Sequence, residues 1–284
     1  MRRRVGRVVA AVAVLGAVVS GCSGGPSQVG SAVIVGDTAI PLGAVQDDIT
    51  TALGSEKAPT ATQLGLTDQQ AVARYVVSDA IRHELLADRA AAEGLTVSEQ
   101  EVDAAVAAGG PAALFEGERA RRAARDGLLA AALGAREVDR LTVTLDLAVA
   151  ASEEEAQTFA QALLDGEQGV PTQPLEIPAA QALGQFPLFP FGTPVGSVVV
   201  LEPAQQGDQV EVVRIADRSS TPAAAPIADQ VPPDLLASFG YQLLQSDATD
   251  VQVNPRYGVF DPLQMTVVAP EDVVGAVLTP ADQR

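Results

Sequence analysis

One stretch near residue 94 holds a signal that ends a helix and, shortly after it, a signal that begins another. Gly94 suits the left-handed position past a helix end, because glycine has no Cβ to clash there. Ser98 and Glu101 have the spacing of a capping box, in which each side chain accepts a hydrogen bond from the other residue's backbone amide. Gly109 is expected to end the second helix. The stretch therefore predicts two consecutive helices joined by a short turn.

Apolar residues recur at helical spacing on the first of these helices. Ile81 and Leu85 continue a stripe on a helix predicted over residues 67–94, with Thr67 at its capping position. A face of this kind must pack against other helices. Another helix is predicted over residues 111–133. The first half of the chain is thus predicted to be mainly helical.

Strand-like patterns stand on either side of the helical part. Alternation of apolar and polar residues, bounded by turn residues, marks the strands, and a Pro- and Gln-rich stretch over residues 170–194 is expected to be a loop. A helix from Pro232 and a short strand close the pattern, so the predicted fold class is α+β. The predicted strands lie at 29–41 (a hairpin), 141–150, 197–201 and 209–216.

The first 28 residues have the layout of an export signal followed by a tether. Residues 1–21 have a basic start and then an apolar run that is short for a membrane span. The run ends in a Val-Ser-Gly-Cys sequence that resembles the lipobox of bacterial lipoproteins, with Cys22 at the lipidated position. The alternative is an ordinary signal peptide with an accidental cysteine. Residues 22–28 are rich in Gly and Ser and predict a flexible tether.

Composition excludes several classes of function. The chain has 36 acidic and 18 basic residues and a net charge of −18, which argues against binding to nucleic acid. One cysteine permits neither a disulfide within the molecule nor a cysteine metal cluster. The single histidine, His83, has no neighbouring motif of a hydrolase or metal site, and there is no phosphate loop. No cofactor, metal or nucleotide is expected.

The helical part resembles the N-terminal domain of SurA-like and PrsA-like periplasmic foldases. In that family a long helix ends in a pattern that this chain matches with Gly94, Leu95, Val97, Ser98 and Glu101, and a β-hairpin precedes the first helix, as in residues 33–40. The later Asn-Pro-Arg-Tyr-Gly segment at 254–258 is similar to SurA-like lipoproteins of actinobacteria. The resemblance implies a helical chaperone domain that a C-terminal helix and strand complete.

The segment after residue 141 resembles a parvulin-type prolyl isomerase domain that has lost its catalytic residues. The strand, the Glu-rich helix start and the ending near Arg218 are similar to that family, but the segment contains no histidine and no cysteine. Asp146 stands about where the family has its first-strand histidine. The segment is therefore predicted to be a degenerate insert, and the chain is expected not to be an isomerase.

These patterns give a division of the chain. After the signal and the tether, a helical domain is predicted from 29–140 together with 227–268, interrupted by the parvulin-like insert at 141–218. Residues 219–226 are predicted to be a linker, and residues 269–284 a loosely held tail.

Six side chains are candidates for contact with a client polypeptide. They combine apolar or aromatic character with places in the long helix or the Phe-Pro segment, although the phenylalanines are better explained as anchors of a long loop to the core. His83 is expected to be a surface or groove-edge residue that lacks a partner for a catalytic or ligand-binding role, and the arginines at 119–125 are expected to form a solvated face neutralised by Glu116, Glu118 and Asp126. The six candidates are Tyr75, Ile81, Leu85, Phe186, Phe189 and Phe191.

The resemblance implies a lipoprotein at the extracytoplasmic face of the cell membrane, anchored through Cys22, that binds unfolded or newly exported polypeptides without ATP. An apolar groove between helices holds such segments reversibly and needs no catalysis. Two alternatives remain: an active prolyl isomerase working from the insert, and a scaffold lipoprotein that binds one specific envelope partner.

Overall fold

The computed structural model describes residues 29–202 and 209–280. The predicted signal, the tether and Cys22 lie outside the described residues. The helical part begins with an antiparallel hairpin and continues through five helices, with a 3-10 turn at Gly110–Leu114 before the last of them. Its elements are β1 (Ser31–Val35), β2 (Thr38–Pro41), α1 (Leu42–Ala52), α2 (Ala58–Gln63), α3 (Gln69–Glu93), α4 (Glu99–Ala108) and α5 (Gly117–Val138).

The predicted turn between α3 and α4 is confirmed in detail. Gly94 follows α3 in the left-handed conformation with φ of 67°. Ser98 caps α4 by accepting from the amide of Glu101, and the Glu101 carboxylate accepts from the Ser98 amide at 2.7 Å. At the other end of α3, Asp68 rather than Thr67 is the capping residue, because its carboxylate accepts from the Ala71 amide at 2.8 Å.

The middle of the chain forms an antiparallel sheet with helices on both faces. The long strands β3 and β6 pair along their whole length, from Leu141 opposite Ser220 to Ala150 opposite Val210. The sheet order is β10-β5-β6-β3-β4. The elements are β3 (Leu141–Ala150), α6 (Glu153–Leu164), β4 (Gln173–Pro178), α7 (Ala179–Ala182), α8 (Phe189–Gly192), β5 (Val198–Leu201) and β6 (Val210–Ser220), and the edge strand β10 (Gly275–Leu278) comes from the far end of the chain.

The C-terminal part returns to the helical domain before it reaches the sheet. The short strand β7 (Val251–Val253) pairs with β1, which gives a three-stranded sheet of order β2-β1-β7. A hairpin then packs on α3, where the Ser78 hydroxyl accepts from the Val267 amide at 2.7 Å. These elements are α9 (Pro233–Leu243), β7, β8 (Val259–Asp261) and β9 (Thr266–Val268). The expected return of a C-terminal helix and strand is thus seen.

One apolar core joins the helical part to the sheet. It runs from the buried faces of α3 and α5 through α9 to the buried side of β3 and β6. The rings of Phe191 in α8 and Phe239 in α9 meet edge to face with centroids 5.4 Å apart. A second, smaller core lies between α6 and the opposite face of the sheet. The predicted insert therefore shares its main core with the helical domain.

Three segments that were predicted to be loose are instead held in place by backbone hydrogen bonds. The predicted tail contains β10, which pairs with β5. The predicted linker is tied to the end of α5, since the amides of Thr221 and Ala223 donate to the carbonyls of Arg140 and Asp139. The predicted loop at 170–194 contains β4, which pairs with β3.

The predicted helix at 111–133 is instead the 3-10 turn followed by α5.

Helices α5 and α9 approach closely because each has a glycine at the crossing. A Cβ at Gly134 would overlap the carbonyl oxygen of Leu236, and a Cβ at Gly240 would overlap the carbonyl oxygen of Ala130. Both glycines have ordinary helical conformations, so the reason for glycine here is space and not backbone freedom. This contact fixes the position of α9 beside α5.

Candidate functional site

A groove of about 410 Å³ lies between α3, α5 and α9, with the end of α4 and the 3-10 turn at one side. This volume falls in the range of small-molecule and peptide pockets. Small and apolar side chains form most of the lining, among them Leu64, Ala105, Ala112, Leu128, Ala131 and Ala237.

The groove exists because the facing side of α5 carries small residues. Ala123, Ala124, Gly127 and Ala131 lie on one face of α5 and line the groove. Alanine and glycine cannot span the gap to the neighbouring helices, so the space above them stays open. The close crossing of α5 and α9 further along α5 prevents α9 from moving in to fill it.

A cation lies between two aromatic rings in the wall of the groove. The guanidinium carbon of Arg82 is 5.8 Å from the ring centroid of Tyr75 and 4.9 Å from that of Tyr241. All three side chains line the groove. Cation–π attraction of this kind orients the guanidinium between the rings. The Nε atom of Arg82 is buried and has no hydrogen-bond partner among the described residues.

Both tyrosines of the groove keep their protons under all ordinary conditions. Burial raises the pKa of Tyr75 to about 12, with a further contribution from Asp79 and opposing ones from Arg82 and Arg119. Burial raises the pKa of Tyr241 further still. The charged phenolate is disfavoured because it would lose its hydration. Each hydroxyl is therefore a neutral group that both donates and accepts hydrogen bonds.

An ion network behind the groove holds α1, α3 and α5 together. Arg119 donates to Asp48 of α1 at 2.8 Å and also to Asp79 of α3, and its guanidinium lies 3.8 Å from the ring centroid of Phe115. Asp79 lines the groove, but its charge is balanced by this direct contact with Arg119. The network holds Asp79 in place, and Asp79 therefore forms no ion pair with Arg82.

The structure brings only Tyr75 of the six predicted client-binding residues into the groove. Ile81 and Leu85 point into the core of the helical domain, with relative exposures of 0% and 5%. Phe189 and Phe191 are also core residues, so they anchor their segment and do not line an open groove. Phe186 is exposed but is not part of the groove lining.

The prediction for the arginines of this part needs correction. The half-buried His83 was expected at the surface or a groove edge, and its Nδ1 lies 2.9 Å from a carboxylate oxygen of the buried Asp126. The expected partners Glu116, Glu118 and Asp126 do not neutralise the arginines of α5. Carboxylates on other helices do so instead. The pairs are Arg119 with Asp48 and Asp79, Arg121 with Glu99 and Asp103, Arg122 with Asp48, and Arg125 with Glu99.

The position predicted to replace the isomerase histidine holds an ion pair. Asp146 on β3 lies opposite Arg214 on β6, and its carboxylate is 3.4 Å from the guanidinium. The cross-strand arrangement is a common way to stabilise a sheet. In the described part of the chain, no group of three or more acidic, histidine or cysteine side chains is placed to hold a metal ion. Over those same residues, no helix combines the length and the apolar character that a membrane crossing requires.

A known family matches the first part of the chain. Residues 1–112 match the family model of the SurA-like N-terminal domain, and the match covers the elements from β1 to α4. This part of the chain is thus similar to the N-terminal domain of SurA-like proteins. The match confirms the resemblance that was inferred from the turn at Gly94. The predicted α+β class is also confirmed. A search of curated proteins and a search of solved structures each found no match.

The match and the groove overlap only in part. The walls from α3 and α4 lie within the matched residues, whereas α5 and α9 follow them in the chain. The likeness of the later sheet to a parvulin, and the likeness to actinobacterial lipoproteins, are not covered by the match and stay predictions.

Tyr241 and Arg82 are among the groove residues that the sequence interpretation missed. Arg82 stands seven residues after Tyr75, which places both on one face of α3, so helical periodicity contains a signal for this pair. Nothing in the local sequence connects Tyr241 with them, because it comes from α9.

Proposed function

We propose that this protein is a cell-envelope lipoprotein that binds unfolded or extended segments of exported polypeptides without ATP. Lipid on Cys22 holds it at the extracytoplasmic face of the cell membrane. The observation that carries the proposal is the groove between α3, α5 and α9, open and mainly apolar, whose first walls belong to a SurA-like N-terminal domain.

The groove suits transient binding of a few side chains at a time. A volume of about 410 Å³ accommodates only a short piece of an extended chain. Burial of apolar surface contributes roughly 25 cal/mol per Å², and a short segment loses much of that gain to the ordering of its own chain. Such a site releases its client without an energy source.

The test is suppression of aggregation of a reduced, unfolded model protein by the chain from Ser23 onward. Two neighbouring alanines on α4 supply a matched pair of variants, because Ala105 lines the groove while Ala104 is exposed outside it. We expect wild type to suppress aggregation at near-stoichiometric ratios. Ala105→Phe should weaken suppression because it fills the groove, and Ala104→Phe should behave as wild type.

Two results would contradict the proposal. If the wild-type chain suppresses no aggregation, client binding is rejected, and a single stoichiometric partner in pull-downs would then favour the scaffold alternative. If both phenylalanine variants suppress as well as wild type, the groove is not the binding site. A prolyl isomerase assay on the same sample is expected to show no turnover, and turnover lost in Asp146→Asn would revive the enzyme alternative.

The anchor is tested separately in cells. Metabolic labelling with a fatty-acid analogue is expected to mark the wild-type protein, and Cys22→Ser should lose both the label and membrane association. Retention of the label in Cys22→Ser would reject the proposed anchor.

A further inference from the structure

Arg82 differs from the other arginines around it. Each of the five arginines of α5 lies within 4 Å of a carboxylate. Arg82 takes part in no ion pair with the described residues, and two tyrosine rings flank its guanidinium. In a chain with a net charge of −18, Arg82 is thus a half-buried guanidinium in the groove wall without a carboxylate partner among the described residues.

The guanidinium has donors that the protein does not use. Its Nε is sealed from solvent without a partner, and no hydrogen bond from its terminal nitrogens joins it to the described residues. A guanidinium offers five N–H donors in a planar fork that matches the two oxygens of a carboxylate. Because Nε is sealed, the donors open to a carboxylate in the groove are those of the two terminal nitrogens, and they are in place before any ligand arrives.

Neighbouring acidic groups do not cancel this charge by contact. Asp79 lies one turn before Arg82 on α3, but Arg119 holds its carboxylate. Asp234 lines the groove from the first turn of α9, where the helix end stabilises a negative charge, and it is exposed. The neutral hydroxyls of Tyr75 and Tyr241 add donors of their own beside the guanidinium.

We propose that the groove prefers apolar client segments that carry an Asp or Glu side chain, whose carboxylate pairs with Arg82 between the two tyrosine rings. This inference rests on the proposed function and names the class of segment that the groove selects. The small apolar lining receives the neighbouring side chains, and the charge-assisted hydrogen bonds fix the acidic one. An arginine provides this geometry where a lysine would supply only a point charge.

The test compares three apolar octapeptides that differ in the position of a carboxylate. The first has a central Glu and blocked ends, the second has Gln in its place, and the third is the Gln peptide with a free C-terminal carboxylate. Binding to the chain from Ser23 onward is measured by calorimetry. We expect the Glu peptide to bind about tenfold more tightly than the blocked Gln peptide, as for a hydrogen-bonded charge that stays partly hydrated. The preference should fall as salt is added.

Variants of the arginine locate the preference. Arg82→Gln should bind the Glu and Gln peptides equally, and Arg82→Lys should keep only part of the preference because it lacks the planar fork. Arg74→Gln is the matched control: Arg74 is also on α3 and has no ion pair with the described residues, but it does not line the groove. This control should keep the full preference. Far-UV circular dichroism checks that each variant is folded, and the Lys variant serves if the Gln variant is not.

The outcomes separate the inference from the proposed function. Equal binding of the Glu and Gln peptides to wild type overturns the preference and leaves client binding intact. Tight binding of the third peptide alone overturns it in favour of a terminal carboxylate. Binding of no peptide overturns the preference, and the aggregation assay then decides whether client binding fails with it.

Discussion

The crossing of α5 over α9 depends on two glycines at the scale of single atoms. Replacing Gly134 with alanine places a methyl group where the carbonyl oxygen of Leu236 now lies, so the helices must move apart. We expect Gly134→Ala to lower the free energy of unfolding by about 2–4 kcal/mol, as overpacking against rigid backbone does. Urea denaturation followed by circular dichroism measures the change.

Gly127 on the same helix is the control for Gly134→Ala. A Cβ there meets nothing within 4 Å and its conformation is helical. Gly127→Ala is therefore expected to raise the free energy of unfolding by roughly 0.5–1 kcal/mol through its better helix propensity. If Gly134→Ala raises the free energy of unfolding as Gly127→Ala does, the close approach of α5 and α9 at Gly134 is contradicted.

The side chains of the groove show how far residue-level prediction reached. Tyr75 was predicted as a client-binding residue, and the structure places it in the groove. Ile81 and Leu85 belong to the same helix but face the core, because an apolar stripe indicates burial and does not distinguish an open groove from a closed one. The place of Arg82 in the groove was not predicted, and a charged residue is usually assigned to the solvent side of a helix.

Among the structural elements, β10 departs most from expectation. It pairs with β5 as an edge strand, with Gly275 opposite Leu201 and Leu278 opposite Val198. The amide of Glu202 also donates to the carbonyl of Val274 at 2.9 Å. The end of the chain thus protects the edge of the buried strand β5.

Truncation after Asp272 tests the contribution of this strand. Removal of residues 273–284 uncovers the edge of β5, and we expect a loss of about 1–3 kcal/mol in the free energy of unfolding and increased self-association. Chemical denaturation and light scattering measure the two effects. Removal of residues 281–284 alone is the control and is expected to change neither. An unchanged denaturation midpoint after the longer truncation would restore the prediction of a loosely held tail.

Elements with local signals were predicted better than elements with distant partners. The end of α3 at Gly94 and the start of α4 at Ser98 are encoded within a few residues, and both are confirmed. The strand β4 contains Pro174 and Pro178, which favour a loop in local terms. Its pairing with β3 along an edge outweighs that local preference, and no short window of sequence shows the pairing.

At the scale of the whole molecule, the continuous core predicts a single unfolding transition. Phe191 comes from the sheet-forming segment and Phe239 from α9, so each ring is part of the other's surroundings. We expect Phe191→Ala to cost about 3–5 kcal/mol and to weaken helices and sheet together. A tryptophan at Phe186 reports on the sheet-forming segment and circular dichroism at 222 nm reports mainly on the helices, since the chain has no tryptophan of its own.

Coincidence of the two signals decides the matter. Both probes should give one midpoint, and Phe191→Ala should shift both equally. Phe186→Ala, followed by circular dichroism alone, is the control, because that side chain is 48% exposed and its loss should change stability by less than about 0.5 kcal/mol. Two separate midpoints would show that the sheet is an independent unit, as the predicted division of the chain implied.

The overall order of helices and strands was predicted, but their association was not. Amphipathic stripes state that a face is buried without stating against what it is buried. The contact of α8 with α9 joins residues that lie about 50 positions apart, and only the folded structure shows it. The groove has the same origin, since its walls come from α3, α5 and α9.

The pairing of β1 with β7 delays completion of the fold during synthesis. Strand β1 is synthesised before β7, and it gains its second neighbour only when residues 251–253 have been made, about 200 residues later. At roughly 5–20 residues per second, that wait is on the order of 10–40 s. During this time, the face of α3 that β9 covers in the folded protein is also exposed. A partly synthesised chain therefore exposes, for that time, apolar surface of the kind that we propose the folded protein binds in other polypeptides.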